Sequence, residues 1–308
     1  MKVVAIFNLF LGLAFFCSLT TSQAQLLRNV VGTNVEHTAQ EGDTLLSIAK
    51  KYRLSIEHLA YANGYPFTAV KIHPGTKLLI PSARIEPANP PRTGLVLNIP
   101  ERGLFRYKDG KFVEFIPVAV GNPPDAKTPI GSFSIIEKIK NPTWFPPDWA
   151  ELDGPVGPGP DNPLGDRWIG LSAPLVGIHG TNNPINVGGS VTHGCIRCFP
   201  EHVRELFEKV SVGQPVRVDY EVAKLAKKPD GSLYLVTFED IYEQGTPEEV
   251  AAKLLEKIGK ESLLVDQNFK GLVDLTLGSL LDLKKAEGIA ARRKLLEAKR
   301  ASVQTQEL

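Results

Sequence analysis

The chain has 308 residues, and its 35 Lys and Arg against 34 Asp and Glu give a formal net charge of +1. This length excludes a single small module, and 43% hydrophobic with 22% charged residues is typical of a packed globular protein, not of a disordered or disulfide-rich chain. The near-neutral charge argues against nucleic acid as a partner, because proteins that bind it usually carry a basic excess that neutralises phosphates.

The N-terminus carries the pattern of an export signal. Lys2 is followed by an apolar run from Val3 to Phe16, and Ser22-Gln23-Ala24 offers small residues where a signal peptidase cleaves. The run is short for a bilayer span, and no later segment approaches the about 20 continuous apolar residues that a transmembrane helix needs. We therefore predict a signal peptide over residues 1–24.

A compact unit with the order strand, helix, helix, strand is predicted over residues 35–82. Apolar residues spaced i, i+3, i+4 and i+7 from Leu45 to Tyr52 indicate the first helix. Ser55 is suited to cap the second helix, which Asn63-Gly64 would end before a Pro-Gly turn leads into the last strand. No catalytic cluster lies in this unit, so we expect it to bind a partner.

The same segments resemble a LysM module. The resemblance runs from Gly42-Asp43-Thr44-Leu45 through Asn63-Gly64 to the stretch from Pro74 to Pro81. It implies binding of glycans that contain N-acetylglucosamine, and hence attachment to cell-wall polysaccharide. A module of the same fold without glycan affinity is the alternative, because a fold does not by itself establish a function.

A proline-rich and therefore extended linker is predicted over residues 83–93, followed by a β-rich domain over 94–220. Asp109-Gly110 is a strong hairpin signal between two of its strands, and Leu175 to His179 reads as another strand. Between these lies a long Pro/Gly/Trp stretch from Asn141 to Arg167, and loops of this length inside compact domains are usually functional.

The C-terminal part combines helices and strands. Pro200 to Val210 predicts a helix with one apolar face, and Ser232 to Val236 reads as a strand that closes the β-rich architecture near residue 240. Residues 221–308 form a C-terminal extension, largely helical from residue 246, where a capping box opens a helix. Its basic run from Lys284 to Arg300 is expected to be a solvated helix face; contact with anionic lipid is the weaker alternative.

One region concentrates reactive side chains: His179-Gly180-Thr181 and the segment from Thr192 to Cys198. Three interpretations stay open. His179, His193, Cys195 and Cys198 have the residue types of a tetrahedral zinc site. The two cysteines also suit a disulfide or redox pair in an exported protein. In the third interpretation Cys195 is a nucleophile and one histidine is its base.

The glycines favour the nucleophile. Gly194 directly before Cys195 allows a tight backbone conformation in which successive N–H groups point at one spot, as an oxyanion hole requires. A zinc site has no such requirement.

Five segments resemble the YkuD-type L,D-transpeptidases. They are Ile178 to Asn182, Thr192 to Arg197, Thr128 to Gly131, Asn141 to Trp144 and Pro158 to Gly165. The succession of export signal, LysM module, catalytic domain and C-terminal extension further resembles the periplasmic Gram-negative subgroup, which includes enzymes that join an outer-membrane lipoprotein to peptidoglycan. The resemblance thus implies a periplasmic location and an α+β multidomain fold, with a β-rich catalytic domain between a small βααβ LysM module and a helical extension.

The resemblance also implies roles for individual residues and no metal or cofactor. Cys195 would attack the diaminopimelate carbonyl of a tetrapeptide stem and form a thioester, while His179, oriented by the Gly180 carbonyl, serves as general acid and base. His193 and Gly194 would support the oxyanion. The implied substrate-binding residues are Trp144, Thr192 and Arg197. For Arg197, the alternative to a substrate carboxylate is a structural salt bridge.

The partner of the protein depends on which acceptor attacks the thioester. A second diaminopimelate amine gives a 3→3 crosslink, a lipoprotein lysine gives an anchor, and water gives carboxypeptidation. Cys198 departs from the family pattern, in which an aliphatic residue is usual, and a disulfide with Cys195 would silence the enzyme. The alternative of a different class is a wall-binding protein whose His/Cys cluster holds structural zinc or a disulfide.

Overall fold

The computed structural model describes residues 27–66, 71–147, 150, 154–260 and 278–284. The predicted signal peptide lies outside these residues. Within the described part of the chain, no helix is both long and apolar enough to span a bilayer.

The N-terminal unit has the predicted order strand, helix, helix, strand. Strands β2 (Val35–Thr38) and β3 (Lys77–Ile80) pair antiparallel, and helices α1 (Leu45–Tyr52) and α2 (Ile56–Asn63) cover them. Both helices begin at capping side chains, because the Thr44 and Ser55 oxygens accept the backbone N–H three residues on. The apolar faces of the helices meet the strands in a small core: Ala39, Leu45, Ile48, Ala49, Leu54, Ile56, Leu59, Ala60, Ile72, Leu78 and Ile80.

The predicted linker is partly a buried strand. β4 (Arg84–Ile85) pairs antiparallel with β1 (Val30–Val31), which precedes the N-terminal unit. Ile85 packs with Phe238, and Arg84 lies beside the carboxylate of Glu101. Proline content predicted an extended linker, but it carried no information on this burial, which depends on partners far along the chain.

The middle of the chain forms a closed β-barrel with one appended strand. The strand order is β11-β7-β12-β10-β9-β8-β13-β5-β6, and β6 also pairs with β7, so the sheet closes on itself and β11 stays outside on β7. The strands are β5 (Gly94–Asn98), β6 (Gly103–Lys108), β7 (Lys111–Gly121), β8 (Gly131–Lys140), β9 (Arg167–Leu171), β10 (Gly177–His179), β11 (Ser190–Thr192), β12 (Ile196–Cys198) and β13 (Pro215–Asp219).

One helix lies against the barrel at the strands that carry the candidate site. Helix α3 (Pro200–Lys209) begins two residues after β12 and contacts β9 and β10. Its apolar face carries Val203, Leu206 and Phe207, which join the barrel core, as the sequence pattern predicted. The helix therefore continues directly from the segment that contains the two cysteines.

The C-terminal extension has a sheet of its own. β14 (Ala223–Lys227), β15 (Leu233–Thr237) and β16 (Leu281–Asp282) form three antiparallel strands, and helix α4 (Pro247–Lys257) packs on β14. The strand predicted at residues 232–236 exists and belongs to this second sheet, not to the barrel. Helix α4 starts at Thr246, whose side-chain oxygen accepts the Glu249 N–H, and β16 interrupts the expected helical tail. Residues 261–277 and 285–308 lie outside the described residues.

The N-terminal unit is docked on helix α3. Lys50 forms a 3.1 Å salt bridge with Glu201, and Arg53 forms one of 2.5 Å with Glu205. The ring Nε2 of His202 donates to the Lys50 carbonyl at 3.0 Å. These contacts join the end of helix α1 to the outer face of α3.

A second contact reaches the loop before β11. Gly188 lies in the left-handed region with φ +105°, and a Cβ built there would stand 2.2 Å from the Cβ of Ser55, which caps helix α2. Only glycine allows the two backbones to approach this closely.

Candidate active site

Strand pairing brings the two reactive motifs together. β10 and β12 are parallel neighbours, with Ile178 opposite Ile196 and His179 opposite Arg197. Side chains alternate along a strand, so His179 and Arg197 share one face of the sheet. Cys195 directly precedes β12, and the Arg197 charge acts on both Cys195 and His179. The two isoleucines point the other way, into the barrel core.

His179 is held in one orientation. Its Nδ1 donates to the Gly180 carbonyl at 2.6 Å, and its ring stacks on Trp168 with the centroids 6.0 Å apart. This hydrogen bond leaves Nε2 as the unprotonated nitrogen. The side chain is only 4% exposed, and burial together with the nearby Arg197 cation lowers the pKa of His179 to about 4. The imidazole is therefore neutral at pH 7 and able to accept a proton.

Cys195 is half-buried and protonated at rest. Its Sγ donates to the Leu175 carbonyl at 3.5 Å. Burial raises the pKa of the thiol, and a backbone hydrogen bond from Gly177 and the Arg197 charge offset this only in part. The free site therefore combines a thiol with a neutral imidazole, not a thiolate with an imidazolium.

The turn before Cys195 depends on a glycine and a threonine. Gly194 lies in the left-handed region with φ +101°, and a Cβ there would stand 3.4 Å from the Lys127 carbonyl oxygen. The Thr192 hydroxyl donates to the Cys195 carbonyl at 2.6 Å and is buried. His193, between these residues, is exposed. The sequence places glycine where the positive φ would strain a residue with a side chain.

Arg197 is a half-buried cation without a carboxylate partner in the described part of the chain. Its Nε lacks a hydrogen-bond partner there. Desolvation lowers the pKa of the guanidinium, which nevertheless remains charged at pH 7. The sequence left open whether this residue forms a structural salt bridge or meets a substrate carboxylate, and this environment favours the second.

Cys198 lies on the opposite face from Cys195. It is fully buried in the barrel core, where desolvation raises the pKa of its thiol to about 12. Both cysteines are free thiols. Because alternate residues of β12 point to opposite faces, the disulfide and the four-ligand zinc site considered from the sequence have no geometric basis here. Among the residues described, no group of three or more His, Cys, Asp and Glu side chains is arranged to hold a metal ion.

The long Pro/Gly/Trp segment folds back on itself. Trp144 and Val156 exchange two backbone hydrogen bonds of 2.8 Å, and the Asn162 amide donates to the carbonyls of Pro142 and Gly157. Trp144 itself is half-buried. The tryptophan that stacks on the candidate histidine comes from another element, strand β9.

Sequence reasoning missed three residues near the site: Trp168, Leu175 and Tyr242. Trp168 lies directly opposite His179 in the pairing of β9 with β10. The Tyr242 hydroxyl donates to the Gly121 carbonyl and accepts from the Thr128 N–H, both at 2.9 Å. Tyr242 thereby fastens the loop whose Lys127 carbonyl faces Gly194. No local pattern marks these residues, because each acts across a long separation in sequence.

Comparison with known proteins agrees with this architecture. Residues 92–218 match the family described as the YkuD L,D-transpeptidase catalytic domain, and residues 37–81 match the LysM domain. The probable L,D-transpeptidase YbiS of Escherichia coli strain K12 is 33% identical over 252 residues, which cover 76% of this chain and 81% of YbiS. The probable L,D-transpeptidase YcfS of the same strain is 33% identical over 217 residues, which cover 66% and 67%.

Solved structures include similar domains. The solution structure of the catalytic domain from the Enterococcus faecium L,D-transpeptidase is 29% identical to the chain over the matched part. The match covers 41% of this chain and 96% of that domain, with a TM-score of 0.34.

Proposed function

Because the chain belongs to the YkuD-type L,D-transpeptidases and carries a LysM domain, we propose that it acts on peptidoglycan stems through a thioester on Cys195. The observation that supports the proposal is the pairing of β10 with β12, which sets His179 opposite Arg197, two residues after Cys195. Similarity to YbiS and YcfS, both from a Gram-negative bacterium, supports a periplasmic site of action after removal of the predicted signal.

The first half-reaction transfers an acyl group to sulfur. Neutral His179 takes the thiol proton at Nε2 as Cys195 Sγ attacks the carbonyl on the L-centre of diaminopimelate in a tetrapeptide stem. The backbone N–H groups of Gly194 and Cys195, with His193 beside them, are the proposed oxyanion donors, each worth about 2.7–4 kcal/mol in comparable sites. His179 then returns the proton to the departing D-alanine amine, which leaves a thioester.

The second half-reaction consumes the thioester. An acceptor amine gives its proton to His179 and attacks the carbonyl, and the thiol leaves with that proton. A diaminopimelate amine yields a 3→3 crosslink, a lipoprotein lysine yields an anchored lipoprotein, and water yields a free acid. The LysM domain would hold the glycan of the same wall during this reaction.

The other predicted residues take supporting roles in the proposal. Arg197 would pair with a substrate carboxylate, because it is a half-buried cation with an unpartnered Nε. Thr192 was predicted to bind substrate, but its buried hydroxyl is already bonded to the Cys195 carbonyl, so we assign it to the support of the turn. Trp144 stays a predicted substrate contact.

The test compares two thiol variants as matched controls. We expect the wild type and Cys198→Ala to gain one covalent carbapenem adduct in intact mass spectra, and Cys195→Ala to gain none. Incubation with tetrapeptide muropeptides should give a thioester and then crosslinked or hydrolysed products, again only where Cys195 is present. An adduct that persists in Cys195→Ala would disprove the assignment of the nucleophile.

A further inference from the structure

Leu175 is an anomalous residue at the entrance to the candidate site. It lies in the turn between β9 and β10, where the Leu171 N–H donates to the Val176 carbonyl at 2.9 Å. Its φ is +59°, and its side chain is 94% exposed. The sequence pattern predicted that the strand begins here, whereas β10 starts two residues later at Gly177.

Neither folding nor solubility explains a leucine at this position. The left-handed region is unfavourable for a side chain with a Cβ, and leucine has no polar group that compensates through a local hydrogen bond. The other non-glycine residues with positive φ in the described chain are all polar or charged: Arg53, Asn89, Arg102, Asp109, Asn141 and Glu243. Leu175 is the one aliphatic residue in this set, and it also leaves its apolar surface in water.

The position relative to the thiol suggests why a leucine is present. The Leu175 carbonyl oxygen accepts the Cys195 Sγ hydrogen bond at 3.5 Å, so standard bond lengths put the Leu175 Cα within about 6 Å of the sulfur. A carbonyl carbon under attack lies about 3–3.5 Å from its nucleophile. Chain atoms attached to that carbonyl therefore come within reach of the Leu175 side chain.

We propose that Leu175 is a specificity-determining residue that contacts the aliphatic chain of the acyl donor. The contact would be made to the methylene groups of the diamino acid whose carbonyl Cys195 attacks, and it would remove apolar surface of both partners from water. The inference rests on the proposed function, because it requires the stem peptide to be the acyl donor. In the free protein the leucine is strained and exposed, because the stem peptide covers its side chain only in the complex.

The experiment separates this role from a structural one, because loss of a substrate contact lowers activity without lowering stability. Leu175→Gly and Leu175→Asn relieve the left-handed strain, so the melting temperature should not fall. The kcat/KM for a tetrapeptide muropeptide should drop by about 10- to 100-fold, the usual range for a lost apolar contact. Leu175→Met keeps an aliphatic side chain and should recover most of that loss.

Two controls complete the design. Val113→Ala removes another exposed aliphatic side chain, near the far end of β7, and should leave kcat/KM unchanged. Alkylation of Cys195 by iodoacetamide should proceed at wild-type rate in Leu175→Gly, because this small reagent needs no apolar contact.

Three outcomes would overturn the inference. Unchanged kcat/KM in Leu175→Gly would show that the leucine makes no productive contact. A parallel loss of alkylation would show that it acts through the thiol. A wild-type protein without turnover of any tetrapeptide stem would instead refute the proposed function, and the inference with it.

Discussion

Arg197 adds to the effect of burial on the pKa of both reactive groups, and its replacement gives a test with a defined sign. The guanidinium favours the thiolate of Cys195 and disfavours the imidazolium of His179. Arg197→Gln removes the charge and keeps a polar side chain of similar length. The pKa of His179 should then rise from about 4 toward the ordinary value of 6.5, and the already raised pKa of Cys195 should rise further.

The size of the shift follows from strand geometry. Residues two apart on a strand lie about 7 Å apart, and two unit charges at this separation interact by about 0.6–2.4 kcal/mol for an effective dielectric constant between about 80 and 20. Since one pKa unit corresponds to about 1.36 kcal/mol, the shift is about one unit. At pH 7 the thiolate fraction, and with it the alkylation rate, should fall by about tenfold.

The assay is the pH profile of Cys195 alkylation, measured on its own peptide by mass spectrometry, together with the pH profile of carbapenem acylation. Both profiles should move to higher pH in Arg197→Gln. Arg204→Gln is the matched control, because Arg204 pairs with Asp166 on the exposed side of helix α3. Profiles that stay in place or move to lower pH would refute the electrostatic role assigned to Arg197.

Three further predictions follow from buried or strained groups. Gly194→Ala should lower the single-turnover acylation rate by about 100-fold or more, because a side chain at φ +101° strains the proposed oxyanion turn. Tyr242→Phe removes two hydrogen bonds and should lower the unfolding free energy in urea by about 1–3 kcal/mol. Burial and Arg53 lower the pKa of His202 to about 4, so the unfolded chain binds more protons between pH 4 and 6.5. Stability should therefore decline as pH falls through this window, and His202→Gln should flatten the decline.

Each of these predictions has a clear contrary result. Gly194→Ala with wild-type acylation would remove the turn from the mechanism. A Tyr242→Phe protein as stable as the wild type would mean that water replaces both hydrogen bonds. An unfolding free energy that rises toward pH 4 would reverse the sign of the linkage inferred for His202.

Local patterns sufficed for several helices and for one turn, while the roles of the reactive residues stay predictions. The helix that starts after Ser55 and the helix that starts after Thr246 carry their caps in the sequence, and the glycine before Cys195 marks a turn that needs it. These features depend on neighbours a few residues away. They could be predicted because the groups that interact lie within a few residues of one another in the sequence.

The pairing of strands that lie far apart in the chain could not be predicted from the sequence. The opposition of Trp168 to His179, and of His179 to Arg197, follows from strand register, which no single strand encodes. Alternation did place Cys198 away from Cys195 once β12 was known, yet the spacing of three residues alone suggested a disulfide or a metal site. Leu175 was assigned to a strand because it is apolar, although its backbone is left-handed.

The docking of the LysM domain on helix α3 has a consequence for where the protein forms bonds relative to a bound glycan strand. A module on a loose tether would let the active site search a sphere of positions around its anchor. Here Lys50 and Arg53 fasten the module to the helix that begins two residues after Cys198. If the module holds a glycan strand, the thiol stands at one fixed distance and angle from that strand. The distance between the LysM module and the Cys195 thiol would then determine how far from the bound glycan strand the protein forms its bonds.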